Sequence, residues 1–139
     1  METPIVIAVV GSEKSSVHEV CMKLVERGAH GPTKASMLEW HWLRPAGFRA
    51  SISSELKKGT NFVVVPSEGN LSTVMQGMTG LVEVKMIVVN VATPSSGGSR
   101  LVHGVHRGEV TLCDTLDTMW LRMQASLLYD YLIYEGRLM

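Results

Sequence analysis

The run Ile5-Val6-Ile7-Ala8-Val9-Val10-Gly11 decides the fold. Six consecutive apolar residues, most of them β-branched, leave neither side of an extended segment for water, as in a strand covered by helices on both faces. Gly11 closes the run. Just downstream, Ser16 with Glu19 three residues later has the spacing of a capping box, and Val17, Val20, Cys21, Leu24 and Val25 recur at helical intervals. Gly28 and Gly31 are expected to stop that helix. A buried strand followed by an amphipathic crossover helix is the building unit of a parallel sheet.

Working outward, the same unit recurs. Asn61-Phe62-Val63-Val64-Val65 reads as a second buried strand, halted by Pro66, and Lys85-Met86-Ile87-Val88-Val89-Asn90-Val91 as a third. Between the first two, Leu38, Trp40 and Trp42 alternate with Glu39 and His41, which predicts a strand over Met37 to Leu43 with one wet face, at a sheet edge. A short helix is expected from Ser51 to Lys58, with Ile52 and Leu56 inward and Gly59 as its stop. Asn70 is placed to cap a helix whose Leu71, Val74, Met75 and Met78 share a face, shortened by Gly77 and Gly80. Glu109 to Cys113 predicts a last short strand, and a final helix starts at Asp114 or Thr115 and runs to near Glu135. No repeat or compositional boundary divides the chain. The expected architecture is one α/β domain over residues 1–139, a three-layer Rossmann-like or flavodoxin-like fold. It would have a mainly parallel sheet of about five strands, helices on both faces and right-handed crossovers.

Composition narrows the function classes. The chain has 139 residues, 45% of them hydrophobic, which is enough to build a core and too apolar for a disordered segment. Thirteen basic residues balance thirteen acidic ones, so no global field steers it toward nucleic acid, and a nucleic-acid partner is not expected. The same neutrality favours self-association. The two cysteines, Cys21 and Cys113, read as buried hydrophobes of a reducing compartment. With no signal-peptide pattern at the start and no apolar run approaching the roughly 20 residues of a membrane span, a cytoplasmic protein is the expectation.

In a parallel sheet, ligands sit beyond the carboxyl ends of the strands, and three loops of this chain belong there. Gly11-Ser12-Glu13-Lys14-Ser15-Ser16 leads from the first strand into a helix start, whose amides and dipole suit a phosphate or carboxylate, with Ser12, Lys14 and Ser15 as side-chain contacts. It lacks the spacer and second glycine of a nucleotide-hydrolase phosphate loop. Pro66-Ser67-Glu68-Gly69-Asn70 adds Ser67 as a second candidate. The third loop lies within the polar stretch from Thr93 to Gly108, where Ser95 and Ser96 can hydrogen-bond and Arg100 can grip an oxyanion with two donors.

His103 and His106 tell a rival story. Three apart and flanked by glycines, they are poorly placed to share a metal, and no third ligand has a recognised spacing, so no metal is expected. Either one suits a general base, with Arg100 or Arg107 to stabilise negative charge. His18, His30 and His41 read as surface residues. No Gly-x-Ser-x-Gly, Cys-x-x-Cys or Gly-x-Gly-x-x-Gly occurs, so no serine sits in a nucleophile elbow and the absence counts against thioredoxin-like redox proteins and dinucleotide oxidoreductases. The leading expectation is binding of a small phosphate-bearing ligand, nucleotides among them, at the carboxyl edge. Catalysis stays open: the alternative is a hydrolase or lyase of a phosphorylated substrate, with His103 or His106 as base. A third class is a non-catalytic oligomeric subunit assembling through the last helix. There Leu116, Met119, Trp120, Met123, Leu127 and Tyr131 form one apolar stripe, and Leu121, Leu128 and Leu132 a second.

Overall fold

The computed structural model describes residues 3–11, 13–38, 45–67, 84–92, 109–113 and 118–134, with 45–49 and 109 described by backbone alone. The elements are β1 (Ile5–Gly11), α1 (Lys14–His30), β2 (Ala35–Met37), α2 (Pro45–Lys57), β3 (Phe62–Ser67), β4 (Lys85–Ala92), β5 (Glu109–Cys113) and α3 (Thr118–Ile133). The five strands form one sheet in the order β2-β3-β1-β4-β5, and every pairing is parallel. This is a Rossmann-like α/β architecture. Its strand order differs from both 3-2-1-4-5 and 2-1-3-4-5, because β1 stands between β3 and β4.

Alternation along the strands sorts the side chains into two cores. Ile5, Ile7 and Val9 of β1, with Phe62, Val64, Ile87, Val89, Val110 and Leu112, pack against Val17, Val20, Cys21 and Leu24 of α1 and against α3. The opposite face holds Val6, Ala8, Val10, Val63, Val65 and Val88, covered by Ile52 of α2 with Leu56 beside it. The connections β1-α1-β2 and β2-α2-β3 run in opposite directions along the sheet on opposite faces, so they share one hand. The two-faced hydrophobicity of Ile5–Val10 is therefore explained by position: β1 is the central strand.

Several local expectations are corrected. Ser16 and Glu19 make no capping box. The helix opens a turn earlier, at Lys14 behind Glu13, and Glu19 instead accepts from Arg122 of α3, whose Nε and Nη2 both lie 2.7 Å from its Oε2. Gly28 does not stop α1 but lies buried in its last turn. A Cβ there would come within 2.4 Å of Ala35 Cβ, so its bare backbone lets β2 run close by. Strand β2 does sit at the sheet edge, but it spans Ala35–Met37, upstream of the expected Met37–Leu43; residues 39–44 lie outside the described residues.

Pro66 does not halt β3: it stands in register with Val9 of β1, and the strand runs on to Ser67. Leu38 N–H donates to Val64 C=O, so by alternation the Pro66 nitrogen faces the β2 side, where the ladder has already ended. The proline ends pairing with the edge strand only. Helix α2 starts at Pro45, a turn and a half before the expected Ser51, and Gly59 follows it with φ +90°, the left-handed geometry that a side chain disfavours. The helix expected after Asn70 lies outside the described residues.

On α3 the second stripe is the one that packs inward: Leu121, Leu128 and Leu132 are buried, together with Ala125, Tyr129 and Ile133. Tyr129 meets Phe62 edge-on at 5.3 Å between centroids, and its hydroxyl shares a hydrogen bond with Thr33. Arg27 of α1 stacks over the same ring at 5.2 Å while donating to Ser126 and pairing with Asp130. These contacts lock α3 parallel to α1. No described helix is long and apolar enough to cross a membrane.

Candidate functional site

Strands β1 and β4 are neighbours, yet the chain leaves β1 toward β2 and leaves β4 toward β5. That divergence makes the carboxyl ends of β1 and β4 a topological switch point, the usual ligand position in open α/β sheets. Helix α1 begins here, two residues after β1 ends. Its first intrahelical bond runs from Val17 N–H to Glu13 C=O, so the amides of Lys14, Ser15 and Ser16 point out of the helix start. Glu13 supplies no side-chain cap to them, and no acidic residue lies in the first turn. The one acidic side chain beside the positive end of the dipole is that of Glu13, at the N-cap position itself. Gly11 holds this turn tight: a Cβ there would lie 2.9 Å from Val17 Cγ2 and 3.0 Å from Val91 C=O.

One residue before Gly11, register brings four residues into a single row across the sheet. Val10 pairs with Ser67 of β3 on one side and Asn90 of β4 on the other, and Asn90 pairs with Thr111 of β5. Alternation puts all four on the face that α2 packs against, since Val65 and Val88 belong to that core while Val110 and Leu112 belong to the other. Ser67 is fully buried and, among the described residues, donates a long 3.4 Å bond to Val65 C=O. Asn90 and Thr111 are half-buried. Among the described residues, none hydrogen-bonds the Asn90 carboxamide or the Thr111 hydroxyl.

Of the residues singled out in the sequence, Lys14 and Ser15 stand at the start of α1, both exposed, and Ser67 lies in the row on the neighbouring strand. Ser12, Ser95, Ser96, Arg100, His103 and His106 lie outside the described residues, as do Arg107 and Asp114. His18 and His30 are exposed. Sequence reasoning missed Asn90 and Thr111. The signal for Asn90 was present, one amide inside Val88-Val89-Asn90-Val91, but its neighbours are set by register.

The cysteines divide. Cys21 is buried in the α1 core, and burial pushes its thiol up, leaving it inert. Cys113 is not buried as expected; it is half-exposed at the end of β5. Its backbone N–H and C=O are both bonded by the buried Gln124 carboxamide of α3. Gln124 does structural work at the sheet edge, where unpaired strand groups would otherwise invite another chain. No group of three or more potential metal ligands occurs among the described residues.

No family model matches this chain, and neither does any curated protein. Solved structures do resemble it. A de novo designed PLOOP2X3_50 fold protein, solved by NMR in solution, aligns with a TM-score of 0.56 at 12% identity, over 95% of this chain and 96% of that one. A second de novo designed protein, also an NMR structure, aligns with a TM-score of 0.52 at 14% identity, over 93% and 91% of the two chains. These likenesses define the class: the chain is a Rossmann-like α/β domain. Fold alone carries no activity, so function has to be argued from the carboxyl edge.

Proposed function

We propose that the protein binds a small phosphate-bearing ligand, nucleotides among them, at the switch point between the carboxyl ends of β1 and β4. The observation that carries this reading is the start of α1: a helix N-terminus without an acidic first turn or side-chain cap, opening directly off the central strand at the point where the chain directions diverge. Outward-pointing amides, the helix dipole and the Lys14 and Ser15 side chains suit a phosphate dianion. Ser12, Ser95, Ser96 and Arg100 would complete the anion site from their loops, and we place the protein in the cytoplasm, in keeping with its free cysteines. The test is a thermal-shift panel of inorganic phosphate, pyrophosphate and nucleotides. A ligand at about a hundred times its dissociation constant adds roughly 2.7 kcal/mol of stability. We expect a clear rise in melting temperature that shrinks in Lys14→Glu; no shift with any phosphate compound would sink the reading.

A second reading concerns assembly and is compatible with the first. Met123 and Leu127 are 54% and 59% exposed, and Tyr131 and Tyr134 continue the stripe along a side of α3 that faces neither α1 nor the sheet. A contiguous apolar patch on the scale of a few hundred Å² marks a contact site. With no net charge to oppose it, we propose that a second copy of the chain covers this stripe. Sedimentation velocity should give a dimer that Met123→Lys with Leu127→Lys converts to monomer. A monomeric wild-type protein at high micromolar concentration would end the idea.

A further inference from the structure

We propose that two copies of the chain pack α3 against α3 in antiparallel register, about a two-fold axis that crosses the helices at Leu127. The inference deepens the assembly reading and rests on it: that reading has a second copy cover the stripe, and the charges beside the stripe fix how the copy lies. Met123, Leu127, Tyr131 and Tyr134 follow one another at intervals of four, four and three residues, so the stripe runs along the helix axis. Leu127 stands midway between Met123 and Tyr131, and all three are exposed.

Two charges border this stripe, and they are the charged residues of α3, Arg122 and Asp130. Arg122 pairs with Glu19 and Asp130 with Arg27, both across to α1, so both stand on the α1 side of the stripe. Their side chains keep 50% and 42% exposure, which leaves each a solvent-facing side for a further partner. A two-fold axis that crosses the helices keeps the α1 side of one copy beside the α1 side of the other. Reversing the helix about Leu127 therefore brings Arg122 of each copy to the level of Asp130 of the other. Glu19 and Arg122, followed by Asp130 and Arg27 of the second copy, then make a row of alternating sign, formed twice by symmetry. A parallel pair, with its two-fold along the helices, sets the α1 side of one copy against the side that carries Gln124, where α3 has no charge. Pairs at a rim add little affinity, but they select orientation.

The experiment is disulfide trapping in a chain carrying Cys113→Ser, which removes the half-exposed native thiol, with sedimentation velocity of the wild type and of each reduced variant alongside. Leu127→Cys, Met123→Cys and Tyr131→Cys are oxidised singly, and the last two also as an equimolar mixture. A disulfide needs its two Cα atoms within about 7 Å. Under the proposed register the two copies of residue 127 face each other. The two copies of residue 123 stand eight residues of helical rise apart, about 12 Å, and each lies level with residue 131 of the other. We expect Leu127→Cys to give a covalent dimer, Met123→Cys and Tyr131→Cys to stay unlinked when alone, and their mixture to link.

Met123→Cys linking readily to itself would mean parallel helices and overturn the proposal while leaving the assembly reading intact. So would a sedimenting dimer in which Leu127→Cys, or the mixture, stays unlinked. A wild-type protein that sediments as a monomer would remove both.

Discussion

Gln124 of α3 holds both backbone polar groups of Cys113 in β5, accepting from its N–H at 3.0 Å and donating to its C=O at 2.8 Å. The carboxamide stands where the next strand would, and it explains why a polar residue interrupts the buried face of α3. Gln124→Leu keeps the volume and removes both bonds. We expect a loss of about 2–4 kcal/mol, from two desolvated backbone groups left unmatched. Urea denaturation checks it: the midpoint should fall with the slope unchanged.

Gly28 and Ala35 form a second coupled pair, since a Cβ on Gly28 would lie 2.4 Å from the Cβ of Ala35, well inside van der Waals contact. Gly28→Ala should destabilise by about 1–3 kcal/mol through overpacking, despite the better helix propensity of alanine. Adding Ala35→Gly should return part of that loss. A double-mutant cycle measures the coupling; additive effects would contradict the packing described here.

The two thiols should differ sharply in reactivity. Burial pushes the Cys21 thiol up and shields it, whereas Cys113 is half-exposed. A thiol-specific disulfide reagent added to the native protein should modify Cys113 first and Cys21 only in denaturant, as peptide mapping by mass spectrometry would show.

Glu55 links α2 to the edge strand. Its carboxyl is held below the usual carboxylate range, chiefly by a hydrogen bond with Ser36 of β2, then by Lys58 and Thr60. A group whose folded pKa is depressed contributes stability above its unfolded pKa, and that share is lost as pH falls through the folded value. Glu55→Gln should therefore lower stability at pH 7, and the difference should shrink as the pH falls below the usual carboxylate range. Chemical denaturation of both proteins across that range tests the sign.

How much of this was legible in the amino-acid order follows from what each signal encodes. Two-faced hydrophobicity over Ile5–Val10 and over Ile87–Val89 marks strands buried on both sides, because burial acts on each residue where it stands. The β5 limits, Glu109 to Cys113, and the edge position of β2 were readable for the same reason. The caps and stops were not: Ser16, Gly28 and Pro66 each have a local meaning that packing overrode, through Arg122, Ala35 and the end of the β2 ladder respectively.

The strand order and the site's long-range neighbours were decided only in three dimensions. Apolar runs say that a strand is covered, never which strand lies beside it, so β1 between β3 and β4 could not be read from composition. Two stripes on α3 were visible, but which of them met the sheet depended on Tyr129 finding Phe62 and Thr33. The sequence by itself determined a parallel sheet with a helix opening close behind its first strand. Ser67, Asn90 and Thr111 became a row because backbone hydrogen bonding between strands far apart in the chain sets register, and register has no local signature in the sequence.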